Sequence, residues 1–310
     1  MKILLCLTPQ IRPFSELSLH SLDLMIVRRL PTKPDLIGHF VAPNRNEIEC
    51  LASACNIRKL VYAEDPVFDP QLLSQNLGLD TVNSLRNNLL QWSALSKAAD
   101  AKREIEARQG KYDLVLWSRP DLLFLDHIEE IVDVPPKTLW LSPHDSWGAY
   151  NDRFCFGDSD AMDIRMRVFE HFTSSFRRNL CFKRLLAPLA WRTGLLWDKY
   201  IRWNAETVLA HLIRKRNLEV RKTNAVFCRV KEDKGKAYVM LPKLVNHDTA
   251  GFSNSIGTFS QSRFSLTNDK VDKLYASGKV GPIATDPRER FMPLTEFSKA
   301  WPTQPSGRRT

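Results

Sequence analysis

The chain reads as an α/β protein, with a mostly parallel sheet flanked by helices. Through the first 120 residues, short apolar runs alternate with longer helical patterns, the order that parallel strands joined by crossover helices require. The run Leu114-Val115-Leu116 carries no polar alternation, as a strand buried on both faces demands. The 310 residues are 43% hydrophobic, ample for a sizeable core.

The elements follow in order. Lys2–Leu7 is the first strand, ended by Thr8-Pro9-Gln10. Its apolar core is too short for a signal peptide, so it is expected to be buried. Ser15–Arg29 is a helix with Leu17, Leu24 and Ile26-Val27 among its apolar positions. Asp35–Val41 is the second strand. Asn46–Cys55 is a short helix, opened by an Asn cap with Glu47 and Glu49 in its first turn. Arg58–Tyr62 is the third strand. Asn83–Gln109 is the longest helix: Leu85, Leu89, Trp92 and Ala99 recur at helical spacing, and Gly110 stops it. Tyr112–Trp117 is the buried strand already noted.

Beyond Asp121 the pattern loosens. Thr138–Ser142 is a strand bounded by prolines, and Arg153–Phe156 an apolar segment ended by Gly157. Ser159–Phe172 reads as one helix capped by Ser159, with Met162, Met166 and Phe169 on one face. Asn204–Arg216 is a helix capped by Asn204, and Glu219–Val230 is strand-like. From Gly251 the chain is polar and is expected to be partly disordered.

Composition excludes several classes. Gly 12 and Pro 18 rule out a collagen-like or linker-like polymer. The six cysteines form no CxxC pair, hence neither a disulfide framework nor a zinc ribbon, and suggest a reducing, cytoplasmic setting. No apolar stretch reaches the roughly 18–20 residues of a membrane span. The histidines form no HExxH spacing, which disfavours a zinc hydrolase. The net charge of +10 points to an anionic partner: nucleic acid, anionic lipid or a phosphorylated small molecule.

The most informative segment is Tyr112–Phe124. A buried strand exits into Ser118-Arg119-Pro120-Asp121, then an apolar run resumes. In open parallel sheets, ligands bind outside the carboxyl ends of strands. Asp121 sits there and offers oxygen to a divalent metal, Mn²⁺ or Mg²⁺, that bridges diphosphate oxygens. Arg119 suits a bidentate phosphate contact. The plainer alternative is a strand-end turn with an Arg–Asp surface pair.

The long helix, Gly110, Tyr112-Asp113, the apolar strand and Arg119-Pro120-Asp121-Leu122 together resemble the metal-binding segment of GT-A-fold nucleotide-diphosphosugar glycosyltransferases. The closest resemblance is to a branch with Arg-x-Asp in place of Asp-x-Asp. Three further segments resemble that branch in the same order: Asn87-Asn88-Leu89-Leu90-Gln91-Trp92, Asn151-Asp152-Arg153-Phe154-Cys155-Phe156-Gly157, and Asn204-Ala205-Glu206. The resemblance covers about residues 1–230. It implies a GT-A-like, Rossmann-type, mostly parallel sheet flanked by helices. Residues 1–250 would be the glycosyltransferase domain, and 251–310 the C-terminal tail. Ser118 or Arg119 stands at the place of the first Asp, so one carboxylate is missing.

The resemblance also implies roles. The nucleotide sugar would lie over Thr8 and Arg12 in the loop after the first strand, Arg86 and Asn88 at the start of the long helix, Arg119, and Asn151. The alternatives are a solvated loop charge for Arg12 and, as the first reading of that residue taken alone, a solvated helix face for Arg86. Asp152 borders the acceptor and transferred sugar, and either Asp152 or Glu206 would take the acceptor proton. The alternatives are an Asn-Asp turn with Asp152 paired to Arg153, and helix-dipole pairing for Glu206. His247 would join Asp121 as a late metal ligand, against the reading of His247-Asp248 as a surface turn.

Ser174–Trp203 is a basic aromatic insertion: Arg177, Arg178, Lys183, Arg184, Arg192, Lys199 and Arg202 stand against Asp198 alone, among aromatics such as Trp191 and Trp197. It reads either as a helix pair lying on an anionic membrane surface or as an amphipathic helix docked on the core. No RNA-binding module or helix-turn-helix pattern is present, which disfavours nucleic acid. The resulting expectation is a cytoplasmic glycosyltransferase, peripheral on the inner face of the cell membrane. It would move a sugar from a nucleotide-diphosphate donor to a glycan or lipid-linked glycan hydroxyl in polysaccharide biosynthesis. The rival is a non-catalytic basic module that binds nucleic acid or anionic glycan.

Overall fold

The protein is described by a computed structural model over residues 1–8, 16–41, 51, 53–63, 67–68, 82–125, 128, 131, 134–142, 150–176, 205–223, 225, 227–234, 236–240, 248–249, 252–253, 273, 276–279, 281–283 and 286–300. Strand β1, Ile3–Leu7, is buried at every position. The reason is its place between β2, Asp35–Val41, and the later β4, Leu114–Ser118, parallel to both. Strand β3, Asn56–Ala63, adds to β2 in parallel at the sheet edge. Its first half is exposed and carries Arg58 and Lys59, charges that discourage further pairing. Three more strands complete the main sheet: β6 (Thr138–Leu141), β7 (Phe154–Gly157) and β8 (Glu219–Lys222); β5 (Leu122–Phe124), which follows β4, belongs to a second sheet. The seven-stranded order is β3-β2-β1-β4-β7-β6-β8, mostly parallel, with β7 antiparallel to both neighbours.

Alternation along β1 divides the core. Leu4 and Cys6 face the long helix α2, Val82–Gln109, where they meet Leu89, Trp92, Leu95 and Ala99. Ile3, Leu5 and Leu7 face α1, Glu16–Met25, and meet Leu19, Leu22 and Met25. This is the period-two rule of a strand covered on both sides. Gly110 ends α2 with φ +82°, the left-handed conformation that favours glycine. Lys102 on α2 is fully buried, yet it donates to Glu106 (2.7 Å), Asp163 (2.9 Å) and Ser159 (2.5 Å). Those oxygens compensate its charge and tie α2 to α3, Ser159–Met166.

Several elements differ from the sequence expectation. The first helix stops at Met25, and Val27–Arg29 forms a 3₁₀ turn. Leu30 is already extended (ψ 143°), as a residue before Pro31 prefers. The predicted helix 159–172 is two, α3 and α4 (Val168–His171), broken at Arg167. Arg167 reaches Asp100 at 2.5 Å and Glu170 at 2.9 Å, and Phe172 beyond it packs on Trp92. The cap of α3 is Asp158, which accepts from the Ala161 N–H; Ser159 is engaged by Lys102 and Glu106. Residues 51 and 53–55 of the predicted helix 46–55 form a turn, and its remainder lies outside the described residues.

The strand predicted over 219–230 belongs to two sheets. Only β8 joins the main one; β9, Phe227–Asp233, pairs with β5 and with β10, Lys236–Met240. Two strands form a small ribbon, β11 (Asp248–Thr249) and β12 (Phe252–Ser253). Strands β13 (Gly281–Ile283) and β14 (Asp286–Pro293) complete a second sheet ordered β13-β14-β10-β9-β5. Helix α6, Leu294–Ala300, follows β14 and helps cover that sheet. The polar region after Gly251 therefore supplies ordered strands to a sheet that begins before it. Of the basic insertion, 177–203 lies outside the described residues. No described helix is long and apolar enough to cross a membrane.

Helix α5, Ala205–Arg216, packs its His211 against His171 of α4, with His171 Nε2 and His211 Nδ1 2.9 Å apart. One ring must donate and the other accept, so the contact requires a neutral ring. Burial, then the His211, Lys215 and Arg216 charges, push His171 down to about 4. The unfolded chain takes up this proton near 6.5, the folded chain only near 4. Stability is therefore expected to be intact above that upper value and to fall as pH drops between the two. Urea midpoints measured across this window should decline in the wild type and flatten in His171→Gln. An equal slope in both proteins would remove His171 from the acid sensitivity.

Candidate functional site

At the carboxyl end of β4 the chain leaves the main sheet through Arg119-Pro120-Asp121 and enters the second sheet as β5. Two main-chain bonds hold this turn: the Arg119 N–H donates to the Arg153 carbonyl (3.2 Å), and the Val230 N–H to the Asp121 carbonyl (2.8 Å). The side chains form a buried fork. Arg119 Nε donates to Asp121 Oδ1 (2.9 Å) and Nη2 to Oδ2 (2.5 Å), with the pair 3% and 4% exposed. Arg229 on β9 brings its Nε to 4.0 Å from the same carboxylate.

The second part is the turn that opens β7. Asn151 Oδ1 accepts from the Arg153 N–H (2.9 Å), an Asx turn that a short amide side chain makes readily. The Asp152 carbonyl receives two donors, Gln91 Nε2 from α2 (3.4 Å) and Arg165 Nη2 from α3 (3.2 Å). Its carboxylate makes no hydrogen bond or ion pair among the described residues, although Asp152 is only 5% exposed. Arg153 Nη2 points to Glu206 Oε1 in the first turn of α5, at 4.0 Å.

Beneath these lies a supporting layer. The Arg165 guanidinium sits 4.6 Å from the Trp117 ring centroid, a cation–π contact in a dry setting. Trp117 Nε1 donates to Thr8 Oγ1 (2.7 Å) at the end of β1. Burial pushes the neighbouring Cys155 thiol up to about 11, opposed by Arg165.

The structure thus brings together Arg119, Asp121, Asn151, Asp152 and Glu206. Thr8 joins the supporting layer through Trp117. Arg86 is exposed on α2, and Asn88 is half-buried with no hydrogen bond among the described residues; Gln91, one turn on from Asn88, reaches the cluster instead. Arg12 and His247 lie outside the described residues. The Asp152–Arg153 pair weighed from the sequence does not form; Arg153 faces Glu206. Arg229 and Arg165 were not singled out. Arg229 is a lone charge inside an apolar run, Ala225-Val226-Phe227-Cys228-Arg229-Val230, and such a charge is the signal that finds it; Arg165, between Asp163 and Arg167, carries no such signal.

The donors at Asp121 do not fit a divalent metal. Both carboxylate oxygens are engaged by Arg119, and Arg229 stands close. Ser118, at the other position of the motif, turns its hydroxyl to the Arg119 carbonyl (3.0 Å). Among the described residues, no group of three or more His, Cys, Asp or Glu is placed to hold a metal. No protein-family model matches the chain, and neither does any curated protein sequence.

Proposed function

We propose that this protein is a glycosyltransferase with a GT-A-like fold. It would transfer a sugar from a nucleotide-diphosphate donor to a glycan hydroxyl, in surface polysaccharide biosynthesis. The observation that carries the reading is Asp152: a buried carboxylate without a partner among the described residues, beside arginines at the carboxyl edge of the parallel strands. Burying charges costs several kcal/mol each, so a buried ionic cluster is a poor source of stability and a better sign of chemistry.

The residues divide the work as follows. Asp152 takes the proton of the acceptor hydroxyl as that oxygen bonds the sugar's anomeric carbon. The bond from that carbon to the diphosphate breaks, and the diphosphate leaves with the electron pair. Guanidiniums stabilise the charge that develops there. Glu206 is the counter-ion of Arg153 rather than the base. Gln91 and Arg165 fix the main chain that carries Asp152. The basic aromatic insertion would keep the enzyme at the inner face of the membrane, near a lipid-linked acceptor.

A released-nucleotide assay with UDP, GDP and ADP sugars tests this. One donor class is expected to give turnover and to raise the melting temperature. If no donor binds, and single-stranded nucleic acid or an anionic glycan binds with a steep salt slope, the protein is a binding module.

A further inference from the structure

We infer that this site holds its anionic ligand without a divalent metal: Asp121 is the counter-ion that orients Arg119, and Arg119, Arg153 and Arg229 supply the positive charge. The inference deepens the proposed reading and rests on it, since that reading makes this edge the place where a diphosphate binds.

Three observations lead there. The first is the fork itself. A bidentate Arg–carboxylate pair uses both oxygens that a cation would need, and here it is almost wholly buried. The second is charge. Around this edge stand the guanidiniums of Arg119, Arg153, Arg165 and Arg229, and the carboxylates of Asp121, Asp152 and Glu206. Among the described residues the guanidiniums outnumber the carboxylates, four to three. A divalent ion at Asp121 would break the fork and then sit beside two guanidiniums in a poorly screened place. Arginine does not lose its proton in proteins, so titration cannot relieve that repulsion. An anion meets the opposite field. The third is rigidity. The Asp121 carbonyl is held by the Val230 N–H and the Arg119 N–H by the Arg153 carbonyl. The fork is therefore set in advance, as a preorganised anion site requires.

The test uses the full chain with two probes, inorganic pyrophosphate and Mn²⁺. Calorimetric titration with pyrophosphate should give affinities within about twofold in EDTA and in Mn²⁺. Mn²⁺ alone should keep its free-ion EPR signal in the presence of the protein. Arg229→Met should weaken pyrophosphate binding about tenfold, and Arg119→Lys, which keeps the charge but loses the fork, by a similar factor. Circular dichroism separates a lost site from a lost fold, and the wild-type comparison needs no variant. Pyrophosphate binding that requires Mn²⁺ overturns the inference. So does Mn²⁺ binding that Asp121→Asn abolishes, or the lack of pyrophosphate binding under both conditions. The donor reading fails separately: if pyrophosphate binds in EDTA but no nucleotide sugar binds or turns over, the metal-free anion site stands and the glycosyltransferase does not.

Discussion

Asp152→Asn is expected to lower turnover by about 10²–10⁴-fold while donor affinity changes little. The substitution keeps the size of the side chain and leaves untouched the carbonyl grip of Gln91 and Arg165, because that grip is on the main chain. What it removes is the only proton acceptor in the cluster whose carboxylate has no partner among the described residues. Glu206 faces Arg153 at 4.0 Å and serves as the counter-ion of that guanidinium. Glu206→Gln is therefore expected to act less on turnover than Asp152→Asn. Single-turnover rates with saturating donor, beside a binding titration, separate the two effects. If Asp152→Asn turns over near normally and Glu206→Gln does not, the roles are reversed.

The second large effect is on stability. Asp121→Ala leaves the Arg119 guanidinium buried with its fork empty, and breaking one side of such a pair costs about 3–5 kcal/mol. Arg119→Met alone strands the carboxylate, although Arg229 at 4.0 Å compensates part of it, so its cost should be the smaller. Replacing both, as Arg119→Met with Asp121→Ala, removes the charges together and should recover most of the loss. Urea unfolding of the four proteins gives the coupling directly. Single variants within about 0.5 kcal/mol of wild type would mean that the fork contributes nothing to the fold.

The main sheet was largely legible. The runs Lys2–Leu7 and Tyr112–Trp117 are apolar without alternation because helices cover both faces of β1 and β4, and that burial writes itself into local composition. The long helix was readable from its apolar spacing and from Gly110. Where elements break, local pattern was silent. Arg167 ends α3 through partners on α2, such as Asp100, far away in the chain. The segment 219–230 has strand character throughout, and nothing local says that its halves pair with β6 and with β5. The second sheet was missed for the same reason. It assembles from residues 122–124, 227–240 and 281–293, and β14 is a charged strand inside a polar stretch.

The site divides along the same line. Arg119-Pro120-Asp121 at a strand end and the turn Asn151-Asp152-Arg153 were visible as local motifs, because strand ends and Asx turns are set by residues next to one another. Which charges meet was decided by the fold. Only packing could place Arg229 of β9 and the fork of Arg119 on one carboxylate, turn Arg153 from Asp152 to Glu206, and bring Gln91 and Arg165 under the Asp152 main chain. A motif states which ionisable groups are present. Whether a carboxylate pairs, accepts a proton or could hold a metal depends on its desolvation and on the charges within a few ångströms, and those come from segments that meet only when the chain folds.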